Sequence, residues 1–127
     1  MAYEDRIEIK SLVGETLIHI DTDEYFDEIM LTTASGRVIR IYHDQNCCES
    51  VRIEDTQGNW HDLLGKVIVE ATHDEDSQGN PPPKFSDSWT RTTLTFRVND
   101  ATVISKWIGE SSGCYSESVN LEEIKRR

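Results

Sequence analysis

The sequence predicts a mainly β fold: a single antiparallel sheet domain, either a sandwich or a partly open barrel, with about seven or eight short strands and one or two short helical segments. Two observations lead to this prediction. Short runs in which apolar and polar residues alternate recur along the chain, as in Lys66–His73 and Trp89–Val98. Clusters of Gly, Asn, Asp and Ser separate such runs at intervals of about 8–12 residues. The 127 residues correspond to one domain, residues 1–127.

The N-terminal part contains a predicted hairpin. Residues 3–13 fit either a short helix or an edge strand, and Leu17–Asp21 fits a strand. Residues 21–28 are acidic and predict a turn or loop. Ile29–Thr33 and Val38–Tyr42 are then two short strands around a glycine-containing turn.

Residues 43–62 have the most unusual composition, because adjacent cysteines, histidines, acids, amides and a tryptophan lie together. A polar loop is predicted at 43–46, followed by a strand from Cys47. Side chains alternate along a strand, so Val51 and Ile53 should share one face, with Arg52 and Glu54 on the other.

The segment after this strand should hold a helical turn at Trp60–Leu64, capped by Asn59. Lys66–His73 predicts a strand. Residues 74–88 contain three consecutive prolines and predict a long irregular loop.

The C-terminal part predicts a second hairpin, in which Trp89–Val98 and Ala101–Ile108 pair around a turn at Asn99–Asp100. Cys114–Val119 fits a last short strand. Leu121–Arg127 fits a short helix with Asn120 as its cap.

Composition limits the partners and the location. The formal net charge is −11, from 24 acidic and 13 basic residues, whereas nucleic-acid binding needs Lys and Arg to neutralise phosphates. No apolar run is long enough for a membrane helix, and the first residues lack the apolar segment of a secretory signal. Three cysteines, two of them adjacent, fit a reducing cytosol. We therefore expect a cytoplasmic protein without direct nucleic-acid or membrane partners.

The acidity has two interpretations. It can serve solubility alone, or an acidic face can meet a basic partner, because complementary fields select partners and raise association rates. The candidate acidic partner face comprises Asp21, Asp23, Glu24, Asp27 and Glu28, together with Asp74, Glu75 and Asp76.

No pattern in the sequence is specific for catalysis or a metal. The adjacent cysteines point to opposite faces of a strand and cannot easily share one zinc ion. Residues 74–79 match the opening of a calcium loop, but Pro82 and Phe85 stand where further ligands should follow. A reactive thiolate needs positive surroundings, and these are acidic. Residues 109–113 have the outline of a nucleophile elbow in the wrong context, a hairpin loop. We expect no cofactor, no metal and no enzymatic activity.

Two segments carry a resemblance to a known family. They comprise His43–Val51, Ile53–Asp55, Gly58 and Asp62–Gly65, and then Trp107, Gly109, Ser111–Gly113, Tyr115–Glu117 and Val119. The pattern resembles an uncharacterised family of small proteins carried by tailed bacteriophages and prophages, over roughly residues 12–120. The family pattern has Asn at Ser112 and Tyr at Cys114. The resemblance implies context alone, because the family has no assigned activity and fold does not fix function.

From this context and the acidity we expect a small non-enzymatic phage accessory protein that binds and inhibits a host protein with a basic surface, such as a defence nuclease or effector. Two alternatives stay open: a small-ligand binder that sequesters a nucleotide signal, and a metal-dependent hydrolase. If the two segments form one site, they should lie close together. The candidate binding residues are His43, Asp44, Gln45, Cys48, Glu49, Arg52, Glu54, Asp55, Trp107, Ser111, Ser112, Tyr115 and Glu117.

Overall fold

The computed structural model describes residues 2–23, 27–43, 49–76, 88–111 and 118–126. Within these ranges, nine strands and two short 3-10 helices are present. The strands are β1 (Ala2–Arg6), β2 (Leu17–Asp23), β3 (Glu28–Thr33), β4 (Val38–Tyr42), β5 (Glu49–Gln57), β6 (Glu70–Asp76), β7 (Ser88–Val98), β8 (Ala101–Ser111) and β9 (Asn120–Arg126). The 3-10 helices span Ile9–Leu12 and Trp60–Leu63. No helix in the described ranges is long and apolar enough to cross a membrane.

The strands form two antiparallel sheets. The first has the order β1-β9-β4-β3-β2, and the second has the order β5-β8-β7-β6. Every neighbouring pair is antiparallel. The predicted mainly antiparallel β fold is confirmed, and the described strands form two sheets rather than a closed barrel.

One hydrophobic core joins the two sheets. In β7, Leu94, Phe96 and Val98 are buried while the residues between them are not, as strand alternation predicts. They belong to one cluster with Ile39 and Ile41 from β4 of the other sheet. Removal of these side chains from water on both inner faces is the main force that holds the sheets together.

The sandwich has two distinct ends. At the closed end, the segments around the 3-10 helices cross the gap between the sheets, and Gly14 N–H donates to the Ile68 carbonyl at 2.8 Å. At the opposite end, β4 and β8 finish and β5 and β9 begin. The two family segments meet there, so we call it the motif end. The Ser118 hydroxyl joins the two sheets at this end by donating to Glu75 Oε2 at 2.8 Å.

Several local predictions are confirmed. Asn59 caps the second 3-10 helix, because its side-chain oxygen accepts a hydrogen bond from the backbone N–H of His61 at 3.0 Å. The β3–β4 and β7–β8 hairpins form as expected. In β5, Val51 is buried and Ile53 packs against the core, whereas Arg52 and Glu54 lie on the outer face.

The predicted C-terminal helix is wrong. Residues 120–126 form β9, which lies between β1 and β4 and pairs with both. The sequence Leu-Glu-Glu-Ile-Lys-Arg favours a helix locally. Pairing on two sides and the burial of Leu121 and Glu122 outweigh that preference, because tertiary contacts routinely override propensity.

Several strand boundaries also differ from prediction. Thr22 and Asp23 extend β2 and Glu28 opens β3, so the described part of the acidic stretch 21–28 is mostly paired strand. β6 begins at Glu70 rather than Lys66, because the backbone of Ile68 pairs instead with residues 14–15. Asp74–Asp76 continue β6 opposite β7, and Ser88 already belongs to β7. Of the predicted loop, residues 77–87 lie outside the described ranges, as do residues 114–117 of the predicted last strand.

Candidate functional site

The described parts of the two family segments lie on neighbouring strands, as expected if they form one site. β5 and β8 are neighbours, with Glu49 opposite Ser111 and Arg52 opposite Ile108. Across the end of the sheet, His43 Nδ1 lies 2.6 Å from the carbonyl oxygen of Ser118. A carbonyl oxygen can only accept, so His43 donates from Nδ1 and thereby ties the end of β4 to the start of β9.

A buried ion pair lies on the outer face of the second sheet. Arg52 Nη2 is 2.8 Å from Glu110 Oε2, and the Glu110 side chain is only 6% exposed. The other carboxylate oxygen of Glu110 is buried and accepts no hydrogen bond from the described residues. Arg52 is 35% exposed, so it reaches solvent while it neutralises a carboxylate that would be costly to bury alone. Its first role is therefore structural.

A second ion pair borders the first. Arg91 on β7 donates to both oxygens of Glu54, at 3.1 and 3.3 Å. Its guanidinium also lies 5.2 Å from the centre of the Trp89 ring. The predicted residues Arg52 and Glu54 thus share an outer face with Glu110, Arg91 and Trp89, three residues that the sequence did not assign to the site. Assigning them requires the register of β5, β8 and β7, which no local pattern encodes.

Three predicted binding residues are buried. Trp107 is fully buried and donates its indole N–H to Ser105 Oγ at 2.9 Å. Ser111 and His43 are 3% and 8% exposed. Asp55, in contrast, is exposed, next to an irregularity in the β5–β8 pairing.

The remaining predicted binding residues cannot be placed in the same way. Glu49 belongs to β5 by its backbone. Outside the described ranges lie Asp44, Gln45, Cys48, Ser112, Tyr115, Glu117 and Glu24, as well as Cys47 and Cys114. Within the parts of the chain that the structure describes, no group of three or more His, Cys, Asp or Glu side chains is arranged to hold a metal ion.

The described members of the two acidic groups lie at the motif end, and several of them are on the edge strands β2 and β6. Asp21 and Asp23 are exposed on β2, and Asp74, Glu75 and Asp76 are exposed on β6.

Two members of the first group also have structural contacts. Asp27 has a positive φ of 52° and accepts the backbone N–H of Ile53 at 2.8 Å. Glu28 forms an ion pair with Arg40 at 2.8 Å, and Arg40 in turn lies 3.7 Å from the centre of the Tyr42 ring.

Two cavities lie where the edges of the sheets face each other. One, of about 350 Å³, separates β2 and β3 from β5 and the second 3-10 helix. The other, of about 330 Å³, lies beside the first 3-10 helix. Its lining residues are Ile7, Glu8, Ile9, Lys10, His73 and Glu75.

These features define the protein as a two-sheet antiparallel β domain in which parts of both family segments lie on the neighbouring strands β5 and β8. The chain belongs to the family described as a domain of unknown function (DUF7448), whose model matches residues 10–121. No curated protein and no solved structure matches the chain.

Proposed function

We propose that this protein is a non-enzymatic binding protein that engages a basic surface of another protein through the motif end. The observation that carries the proposal is the placement of exposed carboxylates. Both acidic groups, on β2 and on β6, lie at the end where the two family segments meet.

The distribution of basic residues supports this choice of surface. Away from the motif end, Lys66 pairs with Asp100 and Arg97 lies 3.5 Å from Glu70, so these two carboxylates have basic partners. At the motif end, Asp21 and Asp74 are exposed and have no salt bridge within the described residues. A formal net charge of −11 with this distribution produces a negative field that steers a basic partner towards one end.

The resemblance to proteins of tailed bacteriophages supports a host protein as the partner, in the cytosol of the infected cell. Among host proteins, a nuclease or effector of a defence system has the required charge, because its nucleic-acid groove is lined with Lys and Arg. Occupation of that groove by the acidic end would exclude the nucleic acid and inhibit the enzyme.

The test is affinity isolation from a lysate of the bacterial host at about 0.05 M and about 0.5 M salt, where screening is weak and strong respectively. We expect a protein with a basic surface to be retained at low salt and released at high salt. A variant that removes three exposed carboxylates from the motif end should lose most of this retention. Its substitutions are Asp21→Asn, Asp23→Asn and Asp74→Asn.

A control variant removes the same number of exposed carboxylates away from the motif end. It carries Asp62→Asn, Glu70→Gln and Asp100→Asn, and it should retain the partner as the unmodified protein does. Retention that is indifferent to salt, or equally weakened by both variants, would contradict the proposal. If no protein is retained and a nucleotide stabilises the fold instead, the small-ligand alternative takes its place.

A further inference from the structure

We propose that the cavity between β2 and β5 binds an uncharged heteroaromatic ring of about the size of a purine base. This seam cavity is lined by Thr22, Ile29, Ile53, Thr56, Gly58, Asn59 and Trp60. Its volume of about 350 Å³ falls at the lower end of the range of about 300–1,000 Å³ that is usual for small-molecule sites. The inference concerns a different surface from the motif end and does not depend on the proposed partner.

The seam cavity is held open by contacts at both ends. Towards the motif end, Asp27 accepts the N–H of Ile53 at 2.8 Å and ties the β2–β3 turn to β5. Towards the closed end, Gly65 N–H donates to the Leu17 carbonyl at 2.8 Å and ties the second 3-10 helix to β2. Because both links are hydrogen bonds to the backbone, the two walls keep their separation in the absence of a ligand.

Gly58 is a lining residue of the seam cavity whose backbone conformation requires glycine. It has a φ of +90°, a conformation that favours glycine, and a Cβ there would overlap the backbone carbonyl of Thr102. The turn therefore packs directly on the backbone of β8, which fixes its position beside the cavity.

The apolar part of the lining suits a flat ring. Trp60 is half-buried, and its ring centre lies 5.7 Å from that of Phe96 with the planes tilted by 54°. Phe96 is fully buried in the core, so it holds the indole in place beside the cavity. Ile29 and Ile53 supply further apolar surface. A fixed indole next to aliphatic side chains favours an aromatic ligand that can stack in an offset arrangement.

The polar part of the lining consists of neutral groups with both donors and acceptors. Thr22 and Thr56 each present a hydroxyl, which can donate and accept. Asn59 uses its oxygen to cap the helix at His61, so its amide nitrogen supplies donors. A heteroaromatic base has acceptors and donors around the edge of a flat ring and matches this set.

Charge decides between a base and a nucleotide. None of the residues that line the seam cavity is ionisable. The chain neighbours of the lining residues include Asp21, Asp23 and Asp55, all exposed. An anionic phosphate would therefore find no counter-ion in the cavity and repulsion near its rim. The site should accept a free base or nucleoside and disfavour a nucleotide or an oligonucleotide.

The experiment follows the indole N–H signal of Trp60 by NMR while adenine, adenosine, AMP and a short single-stranded oligonucleotide are added to the full chain, up to about 2 mM, where even weak binding registers. Trp60→Phe assigns the signal. We expect a saturable shift of the Trp60 signal with adenine or adenosine and a weaker response to AMP. Trp89 on the outer face and Trp107 in the core should not respond. Thr56→Val should weaken binding roughly 3- to 10-fold, as expected for one lost neutral hydrogen bond.

The matched control is Thr95→Val, on β7 of the same sheet and outside the cavity lining, which should bind as the unmodified protein does. The proposal is overturned by the absence of a saturable Trp60 shift, by equal responses to adenosine and AMP, by a response to the oligonucleotide alone, or by unchanged binding in Thr56→Val. Because these measurements use no partner protein, a negative result would not contradict the function proposed for the motif end.

Discussion

The two ends of the sandwich differ in the contacts that their charged side chains make. Towards the closed end, Arg37 donates to Glu15 at 3.0 Å and to Glu123 at 2.9 Å, and its partners are mostly shielded from solvent. At the motif end, Asp21 and Asp74 are exposed without such partners within the described residues. The ion pairs of Arg37 stabilise the closed end. The surplus of negative charge at the other end adds self-repulsion.

The ends differ in apolar packing as well. The crossing segments of the closed end supply core side chains of their own, among them the fully buried Leu12, Leu17, Leu63 and Ile68. These segments do more than cover the sheets, because they fill the space between them. We therefore expect the stability of the fold to depend on the closed end.

The largest effect should come from Leu12→Ala in the first 3-10 helix. Leu12 is fully buried, and truncation of a buried leucine to alanine costs about 2–5 kcal/mol through lost burial and the cavity left behind. Urea denaturation followed by circular dichroism measures the change in the free energy of unfolding. The adjacent Val13 is 46% exposed, so Val13→Ala should change it by less than about 0.5 kcal/mol. Similar losses in the free energy of unfolding for Leu12→Ala and Val13→Ala would show that the buried side chains of the closed end do not dominate stability.

A smaller effect should come from Arg37→Met. Arg37 also donates to the Ser11 carbonyl at 3.0 Å, so its loss removes a charged donor from two partly buried carboxylates and a donor from a carbonyl. We expect a loss of about 1–3 kcal/mol in the free energy of unfolding. Arg97→Met removes a pair with side chains 46% and 52% exposed and should cost no more than about 0.5 kcal/mol. Equal losses in the free energy of unfolding for the two variants would show that the partly buried ion pairs of Arg37 stabilise the fold no more than the exposed pair of Arg97.

The smallest effect should appear in the pH dependence of stability. Hydrogen bonds from Arg37 and then Ser35 hold the pKa of the Glu15 carboxyl below its ordinary value of 4.5. The folded state therefore binds this proton less readily than the unfolded state, and the stabilisation is present above pH 4.5 and lost as the pH falls through the lower folded pKa.

Glu15→Gln tests this linkage. The difference in the free energy of unfolding between the unmodified protein and Glu15→Gln should be greatest at neutral pH and shrink as the pH falls below 4.5, in denaturation curves recorded across that range. In an Arg37→Met background, the same substitution should show a reduced pH-dependent difference. A difference that stays constant with pH would mean that Arg37 does not stabilise the charged form of Glu15.

The candidate site could be predicted from the sequence in part. The proximity of the two family segments was expected and is seen in the β5–β8 pairing. The position of Arg52 and Glu54 on the face opposite Val51 and Ile53 followed from strand alternation. The burial of Trp107 did not follow, because alternation alone does not say which face of a strand meets the core. Glu110 could not be identified as a buried carboxylate, because its burial depends on side chains from neighbouring strands.

Local chemistry by itself determined the parts of this protein in which interacting residues are close in the chain. The β7–β8 hairpin follows from alternation on both sides of a two-residue turn, and the second 3-10 helix follows from the cap at Asn59. Only the tertiary structure decided that residues 120–126 form a strand and that Arg37 joins Glu15 to Glu123. Both features depend on partners tens of residues away, whose contribution to the free energy exceeds local helix propensity and cannot be read from neighbouring residues.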